Sequence, residues 1–264
     1  MKRKLNIVPS KRKEQDWTLR KAILRRDFKM AKTIPPSVDL REDWWKPGDQ
    51  GQTGSCVGWS LADGVLRWHY VKKRKMHHSE HPSVRFIWMA SKEMDDDSAN
   101  PTTFVDDAGT SLKTALDVAR KFGCVKDELL PFKSHALYQG KEDDIVKIAA
   151  KYKIKSYYNL FKPALKRHRL DVLRLWLASD GGPIFTCLDV DKTWFDASKT
   201  KGHLKTYKPK TAEGGHAVCI VGYTPDYFII RNSWGPRGWG DGGFAYASNE
   251  YMMHAFTEAY GVIM

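Results

Sequence analysis

Residues 214–234, "GGHAVCIVGYTPDYFIIRNSW", hold two apolar runs separated by "TPD" at 224–226. Two β-prone runs around a Pro/Asp turn predict a β-hairpin. A hairpin turning near residue 225 sets His216 nearly opposite Asn232, and residues opposite each other share a face of the sheet. An asparagine at that place gives one imidazole nitrogen a partner, fixing the ring's tautomer and direction. Working outward, "GGPIFTCLDV" before the hairpin and "GGFAYA" after it also read as strands bounded by glycine, proline or aspartate.

The first half of the chain reads differently. From Ser55 to Tyr70 the apolar positions fall on two faces of a helix, which predicts a central helix buried on more than one side. Residues 83–94 and 110–122 read as two further helices, the second stopped by Gly123. Helices first and strands later predict an α+β protein with two halves and a cleft between them.

"DQGQTGSCVGWS" at 49–60 puts Cys56 at the start of the central helix, just after a glycine-rich turn. A thiolate in that place faces the positive end of the helix dipole, so a lowered pKa is expected. Gln50, in a loop loosened by Gly51 and Gly54, can turn its amide back toward the cysteine and donate to a developing oxyanion. The other cysteines, Cys124, Cys187 and Cys219, form no Cys-x-x-Cys pair, which excludes a structural zinc motif and a dithiol redox motif. Cys187 and Cys219 lie within apolar strands and read as buried small hydrophobes. His77, His78 and His81 in "HHSEH", and the acidic run "DDDSAN" at 95–100, lack a full ligand set at metal-binding spacing and read as solvated loops.

The composition, 42% hydrophobic and 28% charged with no apolar stretch of membrane-spanning length, is that of a soluble globular protein. "LNIV", stopped by Pro9, is too short for a signal-peptide core, so a cytoplasmic location is expected. Net charge is +13, and residues 1–32 carry +9 of it: twelve Lys and Arg against Glu14, Asp16 and Asp27. This basic arm, with Trp17, Leu19, Ile23, Leu24 and Phe28 interspersed, reads either as a tether to an acidic surface or nucleic acid, or as a segment lying on the protein's own body. Pro35 and Pro36 break any helix, placing a boundary near residue 33.

"QGQTGSC", "GGHAV…VGY" and "RNSWGPRGWGDGGF" resemble the three signature blocks of the papain-like (C1) cysteine peptidases, closest in style to bacterial and archaeal members. The likeness covers residues 34–264 and implies a two-lobed papain-like α+β fold, with a helical lobe over about 34–140 and a barrel-like β lobe over about 141–264. Residues 1–33 stand outside it as a basic extension, shorter than the family's usual inhibitory propeptides, and read as a propeptide-like or occluding arm that associates with the cleft. The resemblance implies a peptidase that uses Cys56 as nucleophile, His216 as base and acid, Asn232 as orienter of the histidine and Gln50 as oxyanion donor. It implies that Trp234 shields the Asn–His bond and that Gly109, Gly215 and Trp234 line the path of a peptide or protein substrate; no metal or organic cofactor is implied. Thr53 stands where the family has a disulfide cysteine, Val57 where it prefers an aromatic residue, and Gly215 where it has Asn or Asp. Cys187 falls near the pocket for the second residue before the scissile bond. The competing function is a papain-fold binding or scaffold module with little turnover.

Overall fold

Residues 214–223 carry side chains small enough to pack on both faces, and this segment becomes the central strand of a single mixed sheet. The computed structural model describes residues 3–95, 102–103, 105–133, 137–162 and 168–264. In chain order its longer elements are α1 (Leu19–Leu24), β1 (Val38–Asp39), α2 (residues 56–72), α3 (Val84–Glu93), α4 (Leu112–Lys121), α5 (Glu142–Ala149), β2 (Ser156–Asn159), α6 (Arg169–Ala178), β3 (Ile184–Val190), α7 (Lys192–Phe195), β4 (His203–Leu204), β5 (Gly214–Tyr223), β6 (Tyr227–Arg231), β7 (Phe244–Ser248), α8 (Asn249–Ala255) and β8 (Phe256–Ile263). The sheet runs β2-β8-β3-β5-β6-β7-β4, with β1 pairing to β5. Among the described residues no helix is long and apolar enough to cross a membrane.

Period-two alternation along β5 divides the core in two. Ala217, Cys219 and Val221 join Leu61, Val65 and Leu116 of the helical side, whereas Val218 and Ile220 join Trp176, Trp194 and Leu188 behind the sheet. A fully buried side chain such as Leu61 contributes roughly 1.5–3 kcal/mol.

The central helix α2 docks on β5 by direct contact. A Cβ at Gly64 would lie 2.3 Å from Cys219 Sγ, so only glycine permits this approach. Ser60 Oγ donates to Ala217 O at 2.7 Å, and Cys219 Sγ donates to Ser60 O at 3.0 Å. Over Trp59–Leu66 the helix widens to π-type winding, a feature frequent near functional sites. Inside this widened segment burial alone would raise the Asp63 carboxyl, but Arg231, His81 and Arg67 hold it well below the usual carboxylate range. The other two helices of this lobe form where Ser83 and Ser111 cap their first turns, accepting from Phe86 N and Thr114 N.

The division between the lobes lies further along the chain than the sequence order suggested. Helix α5 packs with the helical lobe: Cys124 N donates to Ala149 O at 3.3 Å, and Tyr70 Oη donates to Tyr152 O at 2.5 Å. The return at Gly123, in the left-handed region at φ 98°, makes this docking possible. The β-rich lobe therefore begins near β2, while β1 crosses back to pair with β5.

The basic arm lies on the body. Leu19 and Ala22 of α1 are buried, and Phe28 stacks on Trp176 with ring centroids 4.6 Å apart. Asp27 accepts from Lys155, Tyr158 and Arg25, which together hold its carboxyl well below the usual range.

Candidate active site

The turn that delivers Cys56 is tied at both ends. Gln50 N donates to Ser233 O at 2.9 Å, and Gly54 N donates to Asp106 O at 2.8 Å. Cys56 then begins α2 and is fully buried. The N–H groups of Ala217, Val57 and Cys56 itself approach its thiol. Ala217 follows His216 in β5, so the docking of α2 on β5 also sets Cys56 beside the histidine's segment.

His216 and Asn232 meet, though not directly across the ladder. The pairs Cys219–Arg231 and Ile220–Ile230 put Asn232 two places away from the position opposite His216. An offset of two keeps both side chains on one face, within diagonal reach. His216 Nε2 lies 2.7 Å from Asn232 Oδ1, and Nδ1 is buried with no hydrogen-bond partner. The chain of contacts continues: Asn232 Oδ1 also accepts from Ser233 N at 2.8 Å, and Ser233 Oγ donates to Gln50 Oε1 at 2.8 Å. This fixes the Gln50 amide with its NH2 toward the turn, where one N–H donates to Thr53 O at 3.0 Å and the other stays available. Aromatic rings enclose the imidazole: Trp234 lies at 5.0 Å and Trp194 at 5.9 Å between centroids.

The electrostatics depart from the expected activated thiolate. Burial pushes the Cys56 thiol up to about 11, outweighing the N–H groups at the helix start, and pushes His216 down to about 4 despite Asn232. Both groups are thus neutral near pH 7, because the charged forms have been removed from water.

The arm lies along the same cleft. Residues 3–10 run between the lobes, with Asn6 O so near Gly109 that a Cβ there would lie 1.9 Å away. On the opposite wall Ile7 Cγ2 would lie 2.2 Å from a Cβ at Gly215. Arg3 donates to Asp49 Oδ1 and Gly51 O at 2.7 Å each and to Trp234 O at 3.3 Å, with its guanidinium 5.9 Å from the Trp234 ring centroid. Val8 N donates to Thr110 O at 3.1 Å. Gly109, Gly215 and Trp234, expected along a substrate's path, are all contacted by this one extended segment.

A family model for papain family cysteine proteases matches residues 34–260. The chain belongs to that family. An uncharacterized peptidase C1-like protein of Acanthamoeba polyphaga mimivirus is 26% identical over 239 residues, 82% of this chain and 72% of that protein. Cathepsin B-like CP3 of Giardia intestinalis is 26% identical over 236 residues, 85% of this chain and 72% of its own length. Among solved structures, xylellain, a cysteine protease from Xylella fastidiosa, gives a TM-score of 0.76 at 24% identity, covering 99% of this chain and 97% of its own. The proCathepsin B S9 of Trypanosoma congolense gives 0.69 at 16%, covering 98% and 86%. The fold is the two-lobed papain-like α+β architecture, and the protein is a cysteine peptidase, a hydrolase of peptides and proteins.

Three features of this papain-family site were not singled out from sequence. Ser233, which links Gln50 to Asn232, was signalled only by its place between Asn232 and Trp234. Trp194 reaches His216 from α7 and has no local signal. The short apolar–polar run Leu5-Asn6-Ile7 gains meaning only from the glycines it covers. The remaining candidates disperse. His77 Nδ1 meets Ser79 Oγ at 2.8 Å, and His81 faces Asp63 at 3.4 Å. Among the described residues no group of three or more His, Cys, Asp or Glu could hold a metal. Residues 96–100 of the acidic run lie outside the described residues. All four cysteines are free and buried; Cys187 Sγ lies 3.2 Å from Thr257 Oγ1.

Proposed function

We propose that Cys56 attacks the scissile carbonyl and His216 moves the proton, with Asn232 orienting the imidazole and Gln50 and the Cys56 N–H holding the oxyanion. The observation that carries this reading is the His216 ring, bonded to Asn232 through Nε2 at 2.7 Å with Nδ1 buried and unpartnered, on the strand where the next residue, Ala217, presents its backbone to the Cys56 thiol. In the opened cleft the thiol proton passes to His216, sulfur forms a thioester, and the protonated imidazole gives that proton to the leaving amine. Water, deprotonated by the same imidazole, then adds to the thioester and frees the acid with the thiol restored. Trp234 keeps water from the His–Asn bond. Four unpaired thiols favour a reducing compartment such as the cytoplasm, which cell fractionation tests.

The arm acts on this site as a plug and not as a tether. Its charges are used on the body itself, Arg3 with Asp49, Lys4 with Asp107 and Lys13 with Glu258, which leaves less for an external polyanion. Arg3→Ala removes four donated hydrogen bonds, two of them to Asp49, and charge-assisted bonds are worth about 1.5–3 kcal/mol, so the cleft should open roughly 10–100 times more often. The measurement is the rate at which an epoxysuccinyl peptide labels Cys56, read by intact mass with Cys56→Ala as control. Equal rates for the parent and Arg3→Ala would remove the plug; no labelling of either would turn the reading toward a non-catalytic module.

Acid is expected to open the plug. With the arm seated, His216 is held near 4, while an exposed histidine titrates near 6.5. Between those values the open form binds a proton that the closed form cannot, so closure weakens as pH falls, by up to about tenfold per pH unit. The Arg3–Asp49 pair does not offset this: burial opposes, but Arg3 and the Gly51 N–H keep the Asp49 carboxyl below its usual range. Labelling needs the thiolate, which falls about as steeply as opening rises, so iodoacetamide labelling of Cys56 should stay nearly level from pH 6.5 to 4.5, whereas an ordinary thiol slows about tenfold per pH unit. A monotonic slowing would contradict the linkage.

A further inference from the structure

A cavity of about 870 Å³ opens between the arm and the body, at the end of α2 remote from Cys56. His69 lines it, and the stretch of helix from Cys56 to His69 spans roughly 20 Å, so this cavity is separate from the cleft. The arm supplies one wall through Arg26, Phe28 and Lys29; the last turn of α2, the segment after β1 and the ends of α6 and β8 supply the others. The volume is that of a small-molecule site.

Its acidic groups are largely engaged already. Asp27 accepts from Lys155, Tyr158 and Arg25, Asp39 from Arg41, and Glu42 from Lys72. Asp180 is the one acidic side chain of the wall with no partner among the described residues, against three such cations, Arg26, Lys29 and Lys73. Donors without acceptors lie beside them. His69 is 5% exposed and its Nε2 is buried with no hydrogen-bond partner, as is Nε1 of the adjacent Trp68. Burial, and after it the charge of Lys73, push the imidazole down to about 3, so at pH 7 the ring adds no charge of its own. Nor does the helix end oppose a negative ligand, because the carbonyls of His69, Tyr70 and Val71 accept from Lys73 N, Lys75 N and Arg74 N. Free cations grouped with spare donors suit a ligand rich in charged oxygen acceptors.

We propose that this cavity binds a small anion carrying two or more phosphate or carboxylate groups, and that the bound anion fastens the arm to the body and so keeps the cleft closed. Arg26 and Lys29 belong to the arm and Lys73 to the end of α2, so an anion among them bridges the two. With the arm lifted away, one of the three cations remains, and this difference in affinity is what shifts the balance toward the closed form. The arm is one continuous seam from cavity to cleft: Trp17 O accepts from Asn159 N at 2.7 Å, Leu19 and Ala22 are buried, and Asn6 and Ile7 lie against Gly109 and Gly215. The effect on the cleft rests on the plug reading above, whereas the binding does not.

The test is isothermal titration calorimetry of the full-length chain with pyrophosphate and, separately, with citrate, at about 0.15 M chloride to screen loose surface attraction. Binding of at least one with Kd below about 1 mM is expected, and the tighter of the two tells phosphate from carboxylate chemistry. Lys29→Ala and Lys73→Ala should each weaken that binding about tenfold, and Lys73→Arg should retain most of it. If neither anion binds, the proposal is overturned; it is overturned equally if both alanine variants bind as the parent does, since the anion would then sit elsewhere on a basic surface. At ten times Kd the anion should slow epoxysuccinyl labelling of Cys56 about tenfold. Binding with no slowing would overturn the fastening of the arm. Should Arg3→Ala label at the parental rate, the plug reading falls, and the calorimetry still decides the anion site.

Discussion

Cys56→Ala is expected to lower peptide-bond cleavage by about 10⁵–10⁶-fold, the scale on which removal of a catalytic nucleophile acts. The fold should survive, because alanine fills most of the volume and the helix start is held by other groups. Gln50 N is bonded to Ser233 O, Gly54 N to Asp106 O, and Ser60 and Cys219 clamp α2 to β5. Circular dichroism and thermal unfolding should therefore match the parent while turnover and covalent labelling vanish. A variant that retained more than about a hundredth of parental turnover would assign the chemistry to another group, and Cys187, buried beside Thr257, would be the next to examine.

Gln50→Ala is expected to reduce kcat by about 10²–10³-fold with little change in KM, since an oxyanion donor acts on charge that exists only in the transition state. This chain adds a sharper version of that test. Ser233 Oγ donates to Gln50 Oε1, which sets which end of the amide faces the turn. Ser233→Ala removes that orientation and leaves a buried amide oxygen unpartnered, which should cost turnover roughly tenfold. In a chain already carrying Gln50→Ala the second substitution should have almost no further effect on kcat, because the group it orients is gone. Fully additive losses would mean that the Ser233 hydroxyl acts by a route other than the Gln50 amide, since alanine keeps the backbone N–H donated to Asn232 Oδ1. A raised KM in place of a lowered kcat would make Gln50 a ground-state contact.

Both predictions rest on residues whose chemistry was visible before any coordinates. The turn at Thr224–Asp226, the apolar runs around it and the glycines before Cys56 are local signals, and their local consequences are helix starts, strand runs and a hairpin. The exact pairing was less visible. A register shift between Ile220 and Gly222 changes the offset between Asn232 and the position opposite His216 from three places to two, and so puts both side chains on one face in a diagonal place. Gly222 is where β1 crosses, and a Cβ there would lie 2.3 Å from Val38 O. A contact with a segment some 180 residues earlier leaves no trace in the hairpin's own sequence.

The sequence by itself determined the chemistry: a cysteine at a helix start, a histidine and an asparagine on one hairpin face, a glutamine in the preceding loop, and helices ahead of strands. Those depend on residue type and short spacing, which the chain carries directly. Only the tertiary structure decided the state of that chemistry. The dipole at the helix start favours a thiolate, yet burial raises the thiol to about 11, in a cleft where Asn6 and Ile7 of the arm lie against Gly109 and Gly215. The arm's net charge of +9 left open an external acidic partner or a place on the protein's own body, and folding pairs Arg3, Lys4 and Lys13 with Asp49, Asp107 and the buried Glu258. Desolvation and charge pairing depend on what lies within a few ångströms in space, and that neighbourhood is assembled from residues hundreds of positions apart.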